Sequence, residues 1–188
     1  MEHDRIEIYF TSSREEIPGI LNTCLEHVVQ RTKGSPPSTD AFSQVKWVIT
    51  ELLTNAVKHS GTGSCTLIIS VDHDTLKIEK LDQGKPLSLT EHGTGNVFTW
   101  PIESLSGKLE FQIYHNGIDA LIVKSERGNH AKFYVEEFEG PEMPGLLIDT
   151  SEHFGLLIIT KVSNEFSYEY DPATKVNRFV SLFNLNNH

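Results

Sequence analysis

At 188 residues the chain can bury roughly 70% of the surface its unfolded form exposes, so one domain, alone or with a substantial insertion, needs neither disulfide nor metal for stability. Sixteen Lys and Arg against twenty-six Asp and Glu leave a net charge of −10, which argues against the basic stripe needed to grip a nucleic-acid backbone. Two cysteines without metal or framework spacing, nine scattered histidines, no apolar run of membrane-spanning length and an N-terminus unlike a signal peptide predict a soluble, cytoplasmic chain with no structural transition-metal site.

Residues 5–10 (Arg-Ile-Glu-Ile-Tyr-Phe) alternate and predict a first strand. Ser12 or Ser13 caps the helix that follows, with Glu15 and Glu16 suited to its positive end and Pro18 to its first turn. Ile17, Ile20, Leu21, Cys24, Leu25 and Val28 keep helical spacing. Gly34-Ser35-Pro36-Pro37 breaks the chain, and Ser38 or Thr39 caps a second helix that runs to about His59. In it Val45, Val48, Ile49, Leu52, Leu53 and Ala56 form one apolar stripe at about 100° per residue. Along its border run Glu51, Asn55 and His59 at i, i+4 and i+8, with Lys58 close to Glu51 in projection. Singly, Glu51 or Lys58 reads as a solvated helix charge, and His59 as a cation at the helix C-terminus before Gly61. Asn55 is a weak helix former, and in mid-helix it asks for a specific partner. A carboxylate, an amide, an ammonium and an imidazole on one ridge suit a polyanion–metal complex.

The segment Glu51-x-x-x-Asn55-Ala56-x-Lys58-His59 resembles the N box of the GHKL ATP-binding superfamily, which includes gyrase, the heat-shock protein 90 chaperones and histidine kinases. Its wording from Thr54 to His59 looks most like the bacterial anti-sigma-factor serine kinases. The resemblance implies a two-layer α/β sandwich of Bergerat type, with helices on one face of a mixed, mostly antiparallel sheet. It also implies roles: Asn55 holds Mg²⁺, Glu51 polarises the attacking hydroxyl or water, Lys58 offsets phosphate charge, and His59 completes the ATP-binding motif.

Residues 65–71 and 75–81 predict a strand hairpin turning at His73-Asp74. Its second strand runs into Asp82-Gln83-Gly84-Lys85-Pro86, by itself an ordinary turn with proline ending the strand. After an N box the same residues resemble the family's first glycine box, where the anti-sigma branch commonly carries a proline as at Pro86. By that resemblance Asp82 accepts a hydrogen bond from the adenine amino group and Gly84 lets the backbone approach. His92-Gly93-Thr94-Gly95-Asn96 is glycine-rich but too unspecific to mark a phosphate site. Residues 109–114, an Asn116-Gly117 turn, 118–123 and 131–135 predict a three-stranded meander. An acidic return with Glu136, Glu137, Glu139, Glu142, Pro141 and Pro144 reads as a solvated loop. Residues 88–150 are then a β-rich insertion in the lid region of a single domain, 1–188.

Glu152-His153-Phe154-Gly155-Leu156 turns into an apolar helix that runs to about Asn164. Gly155-Leu156 resembles the later part of the second glycine box, with His153 where another glycine often stands. Residues 165–170 and 178–183 predict two last strands joined by a turn at 171–174. Where the family often has Gly-Thr, this chain has Val176-Asn177-Arg178, and no adenine contact is carried over to Asn177. The resemblance as a whole implies an ATP-binding regulator using Mg-ATP, an anti-sigma-factor-like serine kinase. Its partners would be a sigma factor and an antagonist protein whose serine is phosphorylated, and such regulators are commonly homodimers. The departures at His153 and Asn177 leave open a catalytically silent nucleotide-binding or protein-interaction module.

Overall fold

Alternation and capping place the elements close to where the sequence puts them. The computed structural model describes residues 4–11, 13–32, 37–103, 107–137 and 153–185, so Ser12, Glu139, Glu142, Pro141 and Pro144 lie outside the described residues. Strand β1 (Asp4–Thr11) leads through a 3₁₀ turn, Arg14–Glu16, into helix α1 (Ile17–Arg31), with Pro18 in its first turn. The Ser13 hydroxyl caps that turn, accepting from the Glu15 amide at 3.3 Å. Helix α2 (Thr39–His59) starts at Ser38, whose side chain accepts from the Ala41 amide at 3.1 Å. Ser38→Ala removes this acceptor and is expected to cost about 1 kcal/mol. Calorimetry should show the melting temperature about 2–4 °C lower.

The remaining elements are β2 (Ser64–Asp72), β3 (Thr75–Asp82), β4 (Ser88–Thr90), β5 (Val97–Thr99), β6 (Leu109–His115), β7 (Asp119–Arg127), β8 (His130–Glu137), α3 (Phe154–Val162), β9 (Glu165–Asp171) and β10 (Val176–Asn184). Eight of the strands form one sheet in the order β1-β2-β3-β10-β9-β8-β7-β6, while β4 and β5 pair as a separate small hairpin. The chain is thus an α/β fold with a large sheet and, among the described residues, three α-helices.

One feature differs from expectation. Every pairing is antiparallel, so the sheet is not mixed. Four of its seven pairings, β2–β3, β6–β7, β7–β8 and β9–β10, are hairpins, whose tight turns reverse the chain. The meander expected over residues 109–135 is present as β6, β7 and β8. Its last strand hydrogen-bonds β9, with Ala131 opposite Tyr168 and Phe133 opposite Phe166, so β6–β8 widen the main sheet.

One face of this sheet shares a core with the helices. Leu67, Ile69, Leu76, Ile78, Phe166 and Phe183 project from it against Val45, Val48, Ile49, Leu52, Leu53 and Ala56 of α2, the stripe read from the sequence. Cys24 is a filler of that core, its thiol pushed up to about 12 by burial and therefore unreactive near neutral pH. Among the described residues no helix is long and apolar enough to cross a membrane.

Candidate functional site

Along β3 the residues facing the helices run Leu76, Ile78, Lys80, Asp82; along the neighbouring β10 they run Phe183, Ser181, Phe179, Asn177. The core face thus turns from apolar to polar toward one end of the sheet. There the sheet, the second half of α2 and the start of α3 surround a cleft of about 290 Å³. Its wall includes Asn55 and His59 of α2, Lys80 and Asp82 of β3, Leu156 of α3, and Asn177 of β10. Lys85, Pro86, Leu87 and Ser88 of the segment after β3 supply another side.

Buried charge must be paired, and here it is. Lys80 is 4% exposed and Asp82 6%, and the Lys80 ammonium donates to Asp82 Oδ2. The same ammonium stands 5.1 Å from the centre of the Phe179 ring, a cation–π contact. The other carboxylate oxygen, Oδ1, accepts from the Gly84 amide at 2.7 Å and from Asn177 Nδ2 at 2.9 Å. Asn177, 2% exposed, lies directly opposite Asp82 in the β3–β10 register. Its amide nitrogen also approaches the Gly84 and Lys85 carbonyls at 3.2 and 3.3 Å, and its oxygen accepts from the Tyr168 hydroxyl at 2.6 Å. That hydroxyl accepts from the Leu87 amide at 3.0 Å, while burial pushes the phenol's pKa up and keeps it protonated. A continuous network therefore ties β3, β9, β10 and the loop beyond Gly84 into one floor.

Two glycines hold the walls close. A β-carbon on Gly84 would lie 1.7 Å from the Ser60 carbonyl oxygen at the C-cap of α2. One on Gly155, in the first turn of α3, would lie 2.4 Å from Glu51 Oε2 and 3.7 Å from Asn55 Nδ2. Glu51, Asn55 and Gly155 are therefore neighbours, as the α2 and α3 motifs require if they serve one site.

Of the residues singled out by motif, Asn55, His59, Asp82 and Leu156 line the cleft, and Gly84 and Gly155 shape its edges. Glu51 is half-buried against Gly155 and is not part of the wall itself; Lys58 is exposed and stands outside it. His153 lines the cleft at the N-cap of α3 without a side-chain cap to the helix. Sequence reasoning missed Lys80 and left Asn177 unassigned. Period-two alternation puts Lys80 on the face of Leu76 and Ile78, a signal that was present.

No family model matches the chain. It is similar to two curated proteins, each named anti-sigma F factor. The one from Geobacillus stearothermophilus is 25% identical over 105 residues, which span 54% of this chain and 72% of that protein. The one from Geobacillus sp. (strain WCH70) is 23% identical over 106 residues, spanning 54% of this chain and 73% of that protein.

Proposed function

We propose that this chain is a nucleotide-binding regulator of GHKL type, an anti-sigma-factor-like serine protein kinase that works with Mg-ATP. The observation that supports this best is convergence: Asn55 and His59, Asp82, and Leu156, chosen by motif on three separate elements, line a single hollow. In a chain of net charge −10 the one carboxylate of that hollow, Asp82, is already paired with Lys80, and Lys85 adds a cation uncompensated among the described residues, which suits an anion. Its volume, about 290 Å³, is at the lower end of ligand pockets.

The residues present fit the metal and the phosphates. Asn55 offers an amide oxygen, and Gly155 leaves the first turn of α3 without a side chain where it meets Glu51. Mg²⁺, which prefers oxygen ligands and keeps several waters, would be held by Asn55 and would neutralise phosphate charge. On this reading residues 1–188 form one such domain, with 88–150 inserted and much of it widening the sheet. The relatives' name suggests a sigma factor as the protein partner; the N-box resemblance adds, as part of this proposal, a serine on an antagonist as phosphate acceptor and a second copy of the chain as dimer mate.

A melting experiment tests the nucleotide reading. At one hundred times Kd, Mg-ATP adds about 2.7 kcal/mol by linkage. The melting temperature of a chain this size should then rise by roughly 5–10 °C. In Asn55→Ala the rise should become the same with and without Mg²⁺. No rise at millimolar nucleotide removes the reading.

A second reading, a module that binds without phosphate transfer, draws on two observations. Asp82 already accepts from Lys80, Gly84 and Asn177, and His153 occupies the place of a glycine at the α3 cap. Nucleotide binding without hydrolysis or transfer would select it.

A further inference from the structure

A lysine ammonium carries three donors, and a carboxylate offers about four acceptor positions, two on each oxygen. Lys80 is almost wholly buried, yet among the described residues its hydrogen-bond acceptor is Asp82 alone. Donor capacity is therefore left over on a buried cation that lines the cleft. Asp82 is asymmetric in the opposite sense. Its Oδ1 is saturated by Gly84 and Asn177, whereas Oδ2 holds only Lys80 and can take one more proton donor. Side by side, the floor of the cleft thus presents one donor and one acceptor, and nothing for a second donor.

We propose that Lys80 is the base-selecting residue of this cleft, donating to an acceptor on the Watson–Crick edge of a purine whose neighbouring proton is accepted by Asp82 Oδ2. The inference rests on the nucleotide reading above and adds to it which base is taken and why. Adenine fits both positions, with N1 accepting from Lys80 and the 6-amino group donating to Asp82. Hypoxanthine fits equally, with O6 accepting and N1–H donating. Guanine fits those two positions as well, but its 2-amino group then meets the saturated Oδ1 and is buried without a partner, which is costly. The Phe179 ring under the ammonium and the Asn177 bond to Oδ1 hold this polarity in place. Asn177 is thus a positioning residue: it closes one oxygen of Asp82 so that only the other can read the base.

The test uses the full chain and compares Mg-ATP, Mg-1-deaza-ATP, Mg-ITP and Mg-GTP by titration calorimetry. The expected order is ATP and ITP within about threefold of each other, with 1-deaza-ATP and GTP each weaker by roughly tenfold or more. In Lys80→Met, ATP and 1-deaza-ATP should bind alike, since the group that senses N1 is gone. Should that variant fail to fold because Asp82 has lost its counter-ion, the analogue series on the unaltered chain decides alone. Equal binding of ATP and 1-deaza-ATP by the unaltered chain overturns the role of Lys80 while leaving the nucleotide reading standing, and GTP binding as tight as ATP overturns the base selection. Failure to bind any of the four overturns the nucleotide reading and this inference with it.

Discussion

Gly84→Ala is expected to destabilise the chain by about 3 kcal/mol or more, at the upper end of the range for overpacking. The predicted drop in melting temperature is roughly 6–12 °C. The β-carbon would sit 1.7 Å from the Ser60 carbonyl oxygen, 2.7 Å from its carbon and 2.9 Å from Asp82 Oδ1. Two of those three atoms are backbone at the end of α2, where the Ser60 amide closes the last turn on Ala56 at 3.2 Å, so no side-chain rotation relieves the contact. Relief must come from parting the loop after β3 from α2. That movement pulls the Gly84 amide from Asp82 and the Gly84 and Lys85 carbonyls from Asn177. Stability and ligand binding should therefore fall together. Gly63→Ala is the control, because its β-carbon would meet nothing within 4 Å and its backbone is not left-handed. Equal melting temperatures for the two variants would refute the close-approach account.

The parts of this fold that were legible in the sequence are those governed by short-range periodicity. The α2 stripe from Val45 to Ala56 is buried throughout, because a 3.6-residue period on good helix formers leaves one solution. Gly61, with φ at +63°, ends that helix as expected of a glycine after a basic last turn. The Asn116-Gly117 hairpin formed too, with Gly117 at φ +90°. Strand neighbours were not legible. Alternation says that one face of β8 is buried, but not that β9 lies beside it, because a sheet edge carries no side-chain code. Hence the three strands of the meander were legible, but not their pairing with β9 in the main sheet.

The site divides in the same way. That Asn55 and Asp82 would meet at one cleft was readable because motif spacing on one helix and at one strand end is local. Asn177 was not, because its meaning comes from a register partner 95 residues away. Lys80 was passed over for a different reason. A lysine in a strand is normally solvated, and only the burial of Asp82 two residues on makes an inward ammonium stable. Lys58 shows the reverse: projected onto a helical wheel it joins the ridge, yet at the last turn of α2 it stands in solvent.

Glu51→Gln separates the kinase from the silent binder and should give the largest kinetic effect. On the kinase reading Glu51 is the base for the attacking hydroxyl, and general-base contributions of this kind run to about 10²–10⁴-fold. Phosphate transfer or hydrolysis should fall by that order, while Mg-ATP binding stays within about threefold, because Glu51 lies outside the cleft wall. Glutamine keeps the volume and the hydrogen-bonding oxygen but gives up basicity, so an unchanged melting temperature would exclude a packing explanation. The neighbour offers an independent check. Gly155→Ala puts a methyl group where Glu51 Oε2 now lies, at 2.4 Å, and the carboxylate is the end of a flexible side chain that can swing aside. The alanine variant should therefore fold normally, yet lose turnover with Glu51 chemically intact. If both variants keep full turnover, the base is another group. If only Glu51→Gln loses it, the carboxylate acts from a position that tolerates displacement, and the close approach of α3 to α2 serves phosphate access rather than alignment of the base.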